Sequence, residues 1–187
     1  MSVVGVDLTA EFCDAATELS RWVGLSDKTK FQQGDALNLA FDDCEFDAAI
    51  TVHVAMNIEN KMRMYEEARR ILSAGGTFAV YDILRGAGED ILYPVPWARD
   101  PSISHLATPD EMETLLADAG FEIVRVIDST EDSLQWLEAR TAQTGAAKPL
   151  PVTTELLFGP EFREMTQNQL RGLKERRILT VSYICKA

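Results

Sequence analysis

Apolar and polar positions along the chain switch repeatedly between two periods. The run "SVVGVDL" at residues 2–8 reads as a strand that ends on a carboxylate, Asp7. From Thr9 to about Val23 the spacing becomes helical, with Phe12, Ala15, Ala16, Leu19 and Trp22/Val23 near one face. "TKFQQGD" is a short, half-polar strand. "FDAAITV" (46–52) is almost wholly apolar, which predicts a strand covered on both sides. Helical spacing returns over Asn60–Leu72, with Met64, Ala68, Ile71 and Leu72 facing inward. "SAGG" is expected to stop that helix through a left-handed glycine, and "TFAVYDI" (77–83) is the next buried strand.

Residues 84–107 hold Pro94, Pro96 and Pro101 and show no periodicity, as in a long loop or cover. "TPDEM" then marks a helix start. Thr108 is placed to cap, Pro109 sits first in the helix, and Glu111 follows the cap by three. Leu115, Leu116 and Ala119 continue its buried face to Gly120, and "FEIVRVID" is a strand. A helix over 131–143 would bury Leu134, Leu137 and Trp136, and "TGAAKPLPVT" breaks it. A last helix over about 160–175 leads into the closing strand "RILTVSYICK". This order predicts an α/β fold with a mostly parallel sheet and helices on both faces. Residues 1–187 read as one domain, with a helical elaboration at about 131–175.

Composition narrows the function. The formal net charge of -12 argues against nucleic-acid binding, which needs a positive footprint, and disfavours anionic membranes. It suits small substrates, cationic ones included. Cys13, Cys44 and Cys185 fall at no metal-knuckle or disulfide spacing, so a reducing, cytoplasmic setting is expected. With only His53 and His105, an all-histidine metal site is excluded within one chain, and no metal is implied. Residues 1–10 lack the pattern of a signal peptide, and no apolar run approaches the roughly 20 residues that span a bilayer.

In open α/β sheets ligands gather beyond the carboxyl ends of the strands. Asp7 there suits a ribose diol, since a carboxylate offers only acceptors; the alternative is a cap for the following helix. Asp35 suits an exocyclic amine, with the Ala36 amide beside a ring nitrogen; the alternative is a turn-forming "GD". His53 and Asn57, just past Val52, suit substrate contact or proton removal, or merely a local hydrogen bond. His105 reads as a loop histidine, and the cluster Arg171, Lys174, Arg176 and Arg177 as the wet face of the last helix.

Taken in order, these segments resemble the class I S-adenosylmethionine-dependent methyltransferases, nearest to the UbiE-like, type 11 small-molecule branch. "VVGVDLT" is similar to that family's second strand, which implies a ribose role for Asp7. "FQQGDALNLAF" is similar to its adenine segment, implying Asp35 and Ala36 at the adenine edge and Leu8 on the ring. "FDAAITVHVAMNIENK" resembles its fourth strand and turn, placing Val52, His53 and Asn57 toward cofactor or substrate. "EEARRILSAGGTFAVYDI" resembles the next helix and strand, and "YPVPWARDPSISHLATPDEM" a substrate-side cover with Trp97 and Tyr93 near the pocket, beside Tyr81. The resemblance implies S-adenosylmethionine as cofactor and a small molecule, an amine among the candidates, as acceptor. A non-catalytic module and an NAD-linked oxidoreductase are the rival classes.

The family's first strand and glycine-rich loop have no counterpart here, and no "GxGxG" occurs. In the family that strand lies between those ending here at Asp7 and Val52. Three expectations follow: the chain is a fragment of a longer enzyme, the flanking strands close up and pair, or another copy completes the sheet as a homodimer.

Overall fold

The computed structural model describes residues 2–143 and 154–187. Its elements are β1 (Val3–Asp7), α1 (Ala10–Trp22), β2 (Thr29–Gln33), β3 (Phe46–Val52), α2 (Lys61–Ile71), β4 (Leu72–Arg85), α3 (Pro109–Asp118), β5 (Glu122–Asp128), α4 (Thr130–Gln143), α5 (Glu155–Phe158), α6 (Phe162–Lys174) and β6 (Ile178–Lys186). Short 3₁₀ turns occupy Ala55–Asn57 and Pro101–Ile103. The predicted break at "TGAAKPLPVT" lies outside the described residues.

Local chemistry explains the boundaries. Asn60 caps α2 by accepting the Arg63 N–H at 3.2 Å. At α3, Thr108 and Glu111 form a reciprocal capping box with Pro109 in the first turn. The end of α2 differs from expectation, because no glycine terminates it. Leu72 is already extended and fully buried, and β4 runs unbroken through Ser73–Gly76. Drawing Leu72 into the core pairs it with Phe46, and the β3–β4 register then shifts before Ala48 meets Thr77.

The strands form two sheets. β1 and β2 make a parallel pair, and a four-stranded sheet follows the order β3-β4-β6-β5. β3 and β4 are parallel, while β6 is antiparallel to both of its neighbours. The larger sheet is therefore mixed, with β6 as its one reversed strand. One of its faces holds Tyr65, Phe78, Val80, Met112, Leu116 and Phe121 under α2 and α3. The other holds Ile83, Trp97, Leu137, Leu173 and Ile178 under α4, α6 and the 84–107 cover.

β1 and β3 do not pair, so the expected closing-up of the sheet does not occur. β3 also departs from its predicted burial: Ile50 is 72% exposed and Val52 50%. Its apolar composition fits a two-sided cover that only β4 and one face supply. α1 buries Cys13 and Ser20 but leaves Phe12, Leu19, Trp22 and Val23 exposed. Trp136, expected inside, is exposed beneath the Arg140 guanidinium at 5.2 Å. Arg177, expected on a wet face, is buried against Glu175 and Glu89. No helix among the described residues is long and apolar enough to cross a membrane.

Candidate functional site

Parallel pairing of β1 and β2 sets Asp7 opposite Gln33, and the Gly34 N–H donates to the Asp7 carbonyl at 2.9 Å. Asp35 follows two residues later, so both acids leave neighbouring strands at the same end. Neither side chain caps a helix. Asp7 Oδ1 accepts the Thr9 N–H at 2.8 Å, and Asp35 Oδ1 accepts the Leu37 N–H at 2.9 Å. Each carboxylate thus braces its own turn with one oxygen, and both residues are exposed. Two glycines permit the tight fit behind them. A Cβ on Gly5 would meet the Phe31 ring at 2.6 Å, and one on Gly34 would meet Val6 at 2.8 Å. Leu8 is exposed beside Asp7, while Ala36 and Leu37 pack against the core beneath α2. A hollow of about 310 Å³ lies against β1 and α1, lined by Gly5, Val6, Asp7, Phe12, Cys13, Ala16 and Phe31.

The loop carrying Asp35 is fastened to α2 by charged groups that pattern reading passed over. Glu67, 2% exposed, accepts the Leu39 N–H at 2.8 Å and pairs with Arg63 and Arg70. Arg63 also donates to the Leu37 carbonyl, and Arg70 to those of Leu39 and Phe41. The Arg70 hydrogen bond, aided by the Leu39 N–H, holds the Glu67 carboxyl below its ordinary pKa despite burial. The signal was available: positions 63, 67 and 70 follow helical i,i+4 and i,i+3 spacing.

His53 follows β3 in a left-handed conformation, φ 55°, which is uncommon for a residue with a side chain. Its N–H donates to the Tyr81 carbonyl at 2.8 Å and its ring sits 4.8 Å from the Tyr81 ring. Partial desolvation lowers its pKa below 6.5, which favours neutral imidazole near pH 7. Val52 lies exposed just before it.

Asn57 spends both amide hydrogens on the carbonyls of Trp97 and Ile103, each at 2.8 Å. It therefore ties the 55–57 turn to the cover, and its nitrogen is not free for a substrate. Trp97, expected over a pocket, is 8% exposed in the second core, with its indole N–H on Ser104. Tyr93 packs against that same core. His105 donates its N–H to the Met56 carbonyl, and its own carbonyl accepts from buried Lys61. Asp82, 1% exposed, accepts the N–H of Met56 at 3.1 Å and of Ile83 at 2.9 Å. Burial raises its pKa to about 6, against the pull of those hydrogen bonds and of Lys61. No pattern in the sequence distinguished Asp82 from a strand-end acid.

A larger hollow of about 600 Å³ opens away from these strand ends, over Glu59, Lys61, His105 and α3, and is broadly exposed. Of the residues expected to meet an adenosine-type cofactor, Asp7, Leu8 and Asp35 are exposed and Ala36 is half-buried. The amino-acid end of such a cofactor meets no glycine-rich turn among the described residues. These residues also contain no group of three or more metal-ligating side chains.

A family model described as a methyltransferase domain matches residues 1–80. The sterol 24-C-methyltransferase of Aspergillus fumigatus is 28% identical over 143 residues, taking in 72% of this chain and 38% of that protein. The chain spans about half or less of the curated relatives it matches. The phosphoethanolamine N-methyltransferase 2 of Haemonchus contortus, solved with S-adenosyl-L-methionine, superposes with a TM-score of 0.80 at 16% identity, covering 99% of this chain and 43% of its own. The cyclase SpnF superposes at 0.73 and 21% identity, covering 100% of this chain and 66% of its own.

Proposed function

We propose that this chain, which has the α/β fold of the class I S-adenosylmethionine-dependent methyltransferases, binds the adenosine half of that cofactor and serves methyl transfer to a small molecule. One observation supports the reading: β1–β2 pairing sets Asp7 opposite Gln33, two residues before Asp35, and each acid engages one carboxylate oxygen in its own turn. Asp7 would hold the ribose diol, Asp35 and the Ala36 N–H the adenine edge, and Leu8 one ring face. When bound, the cofactor supplies an electrophilic methyl on sulfur; the protein supplies alignment and a dry surface.

Val52, His53 and Tyr81 would border the acceptor. Because desolvation disfavours its charged form, His53 is suited to accept a hydrogen bond and orient that acceptor. A neutral amine needs no base, and the acidic surface would gather cationic forms of it. The similarity to an amine-acting enzyme supports an amine. Asn57 and Trp97 seat the cover in this reading. Three free cysteines support a reducing, cytoplasmic setting. A second reading, a non-catalytic adenosine-binding module, is favoured by the unpaired edges of β1 and β3.

Calorimetric titration with S-adenosylhomocysteine and with adenosine tests the proposal. Contacts confined to the adenosine half should give the two ligands affinities within about tenfold. Asp7→Ala should weaken both by about tenfold to a hundredfold, the worth of a charged hydrogen bond. Unaltered binding in Asp7→Ala and Asp35→Ala would overturn the site.

A further inference from the structure

A run of hydroxyl groups crosses the four-stranded sheet where α4 meets it. Tyr81 and Ile83 of β4 stand opposite Ser182 and Thr180 of β6, so Tyr81 and Thr180 share one face of the sheet. α4 is pinned to that face by its first turn. The Ser129 N–H donates to the Thr180 carbonyl at 2.9 Å, the Thr180 N–H to Thr130 Oγ1 at 3.1 Å, and the Thr130 N–H to Asp128 Oδ1 at 2.8 Å. This seating brings Ser133 Oγ to 2.8 Å from Thr180 Oγ1 and 3.4 Å from Tyr81 Oη.

The direction of the hydrogens follows from burial. Thr180 is buried, and among the described residues its hydroxyl has no hydrogen-bond partner other than Ser133. A buried donor without an acceptor is costly, so the Thr180 hydrogen goes to Ser133 Oγ. The Ser133 hydrogen then has Tyr81 Oη as its remaining acceptor. Three hydroxyls joined by two bonds leave one hydrogen over, and it is the phenolic hydrogen of Tyr81. That residue is half-buried beside exposed Val52, with its ring 4.8 Å from the His53 ring. The seam therefore ends in one held donor at the strand ends.

We propose that Tyr81 sets the specificity of the acceptor site by donating its phenolic hydrogen to an oxygen of the small molecule, and that Ser133 and Thr180 are positioning residues that fix the phenol for that task. The acceptor is then an oxygen-bearing molecule, since a plain alkylamine in its cationic form offers Tyr81 no lone pair. The inference deepens the proposed function and rests on its placing of Val52, His53 and Tyr81 around the acceptor. It uses neither Asp7 nor Asp35. Ser133 touches no substrate and acts only through Tyr81.

Two measurements on the full chain test it. The first needs no ligand, because the tyrosine Fermi doublet in a Raman spectrum reports whether a phenol oxygen accepts or donates. Subtracting the spectrum of Tyr81→Phe isolates Tyr81 from Tyr65, Tyr93 and Tyr183. The parent should show more accepting character than Ser133→Ala, and Ser133→Thr should restore it. A change in the opposite direction, or none, overturns the hydroxyl seam. The second measurement titrates tetrahydrofurfurylamine and cyclopentylmethylamine, cations of matched size that differ by one ring oxygen, by ligand-observed NMR. The affinity ratio of the ether to the hydrocarbon should fall about fivefold in Tyr81→Phe, the worth of one neutral hydrogen bond. Ser133→Ala should lower that ratio and Ser133→Thr keep it, whereas a general loosening of α4 would weaken both amines alike. An unchanged ratio in Tyr81→Phe, or no binding of either amine, overturns Tyr81 as the specificity contact. Asp7→Ala should alter neither readout, so failure here and loss of the S-adenosylhomocysteine site are told apart.

Discussion

Asp82 shows what one buried carboxylate does to a strand end. It holds the backbone of the 55–57 turn against β4 through the Met56 N–H, and desolvation raises its pKa from 3.8 to about 6. A carboxyl raised in this way binds more protons folded than unfolded between those values, so its contribution to stability falls as pH rises from about 4 to about 6 and is level above. The shift corresponds to roughly 3 kcal/mol at 1.36 kcal/mol per pKa unit. Glu67, Glu111 and Asp128 are lowered and act in the opposite sense, so the effect must be read as a difference. Urea unfolding of the parent chain and of Asp82→Asn, at steps from pH 4 to pH 7, should show the variant gaining about 3 kcal/mol relative to the parent. A difference that stays constant with pH would mean that Asp82 is not desolvated as described.

At the scale of elements, α2 joins the site to the large sheet. Arg63, Glu67 and Arg70 stand on one helical face and fasten the loop from Leu37 to Phe41, which follows Asp35 and Ala36. Glu67 is nearly fully buried with two guanidinium partners, so its removal leaves the Leu39 N–H without its acceptor and leaves Arg70 only its bonds to Asp43, Leu39 and Phe41. Glu67→Ala should cost about 3 kcal/mol, in the range for breaking a buried pair, and should weaken adenosine binding through the displaced loop. Arg63→Ala, which removes a guanidinium that is itself half-exposed, should cost under about 1 kcal/mol. Equal losses from the two variants in urea unfolding would contradict this ranking. The pattern of apolar positions located α2 and α3 well, because each buries a stripe and carries its cap, Asn60 or Thr108, in the sequence. It misjudged the end of α2, where burial of Leu72 outweighed the preference of a glycine for a helix end. It also misjudged the cover of β3, because composition reports what a strand suits and not what is present beside it. Asp7 and Asp35 were legible from strand-end position. The engagement of Asn57 and Trp97 with the cover was not, because it depends on backbone carbonyls 40 and 46 residues away.

For the whole molecule the two sheets differ in how they are covered. The four-stranded sheet is packed on both faces, by α2 and α3 on one side and by α4, α6 and the cover on the other. The β1–β2 pair packs mainly against α1, and its fastening to the rest includes the loop bonds to Arg63 and Arg70. Unpaired edges need not carry unmet hydrogen bonds when water reaches them; the cost moves to apolar side chains such as Ile50 and Trp22 left in solvent. Elements with fewer buried contacts open at lower free energy than the global transition. Native-state hydrogen exchange should therefore find the amides of β1 and β2 exchanging at least a hundredfold faster than those of β4 and β6, a gap of about 3 kcal/mol in opening free energy. Glu67→Ala should widen that gap, since it loosens the fastening without touching either sheet. Equal opening energies across all six strands would show the two sheets to be one cooperative unit, and the loop to α2 a far stronger coupling than its hydrogen bonds imply.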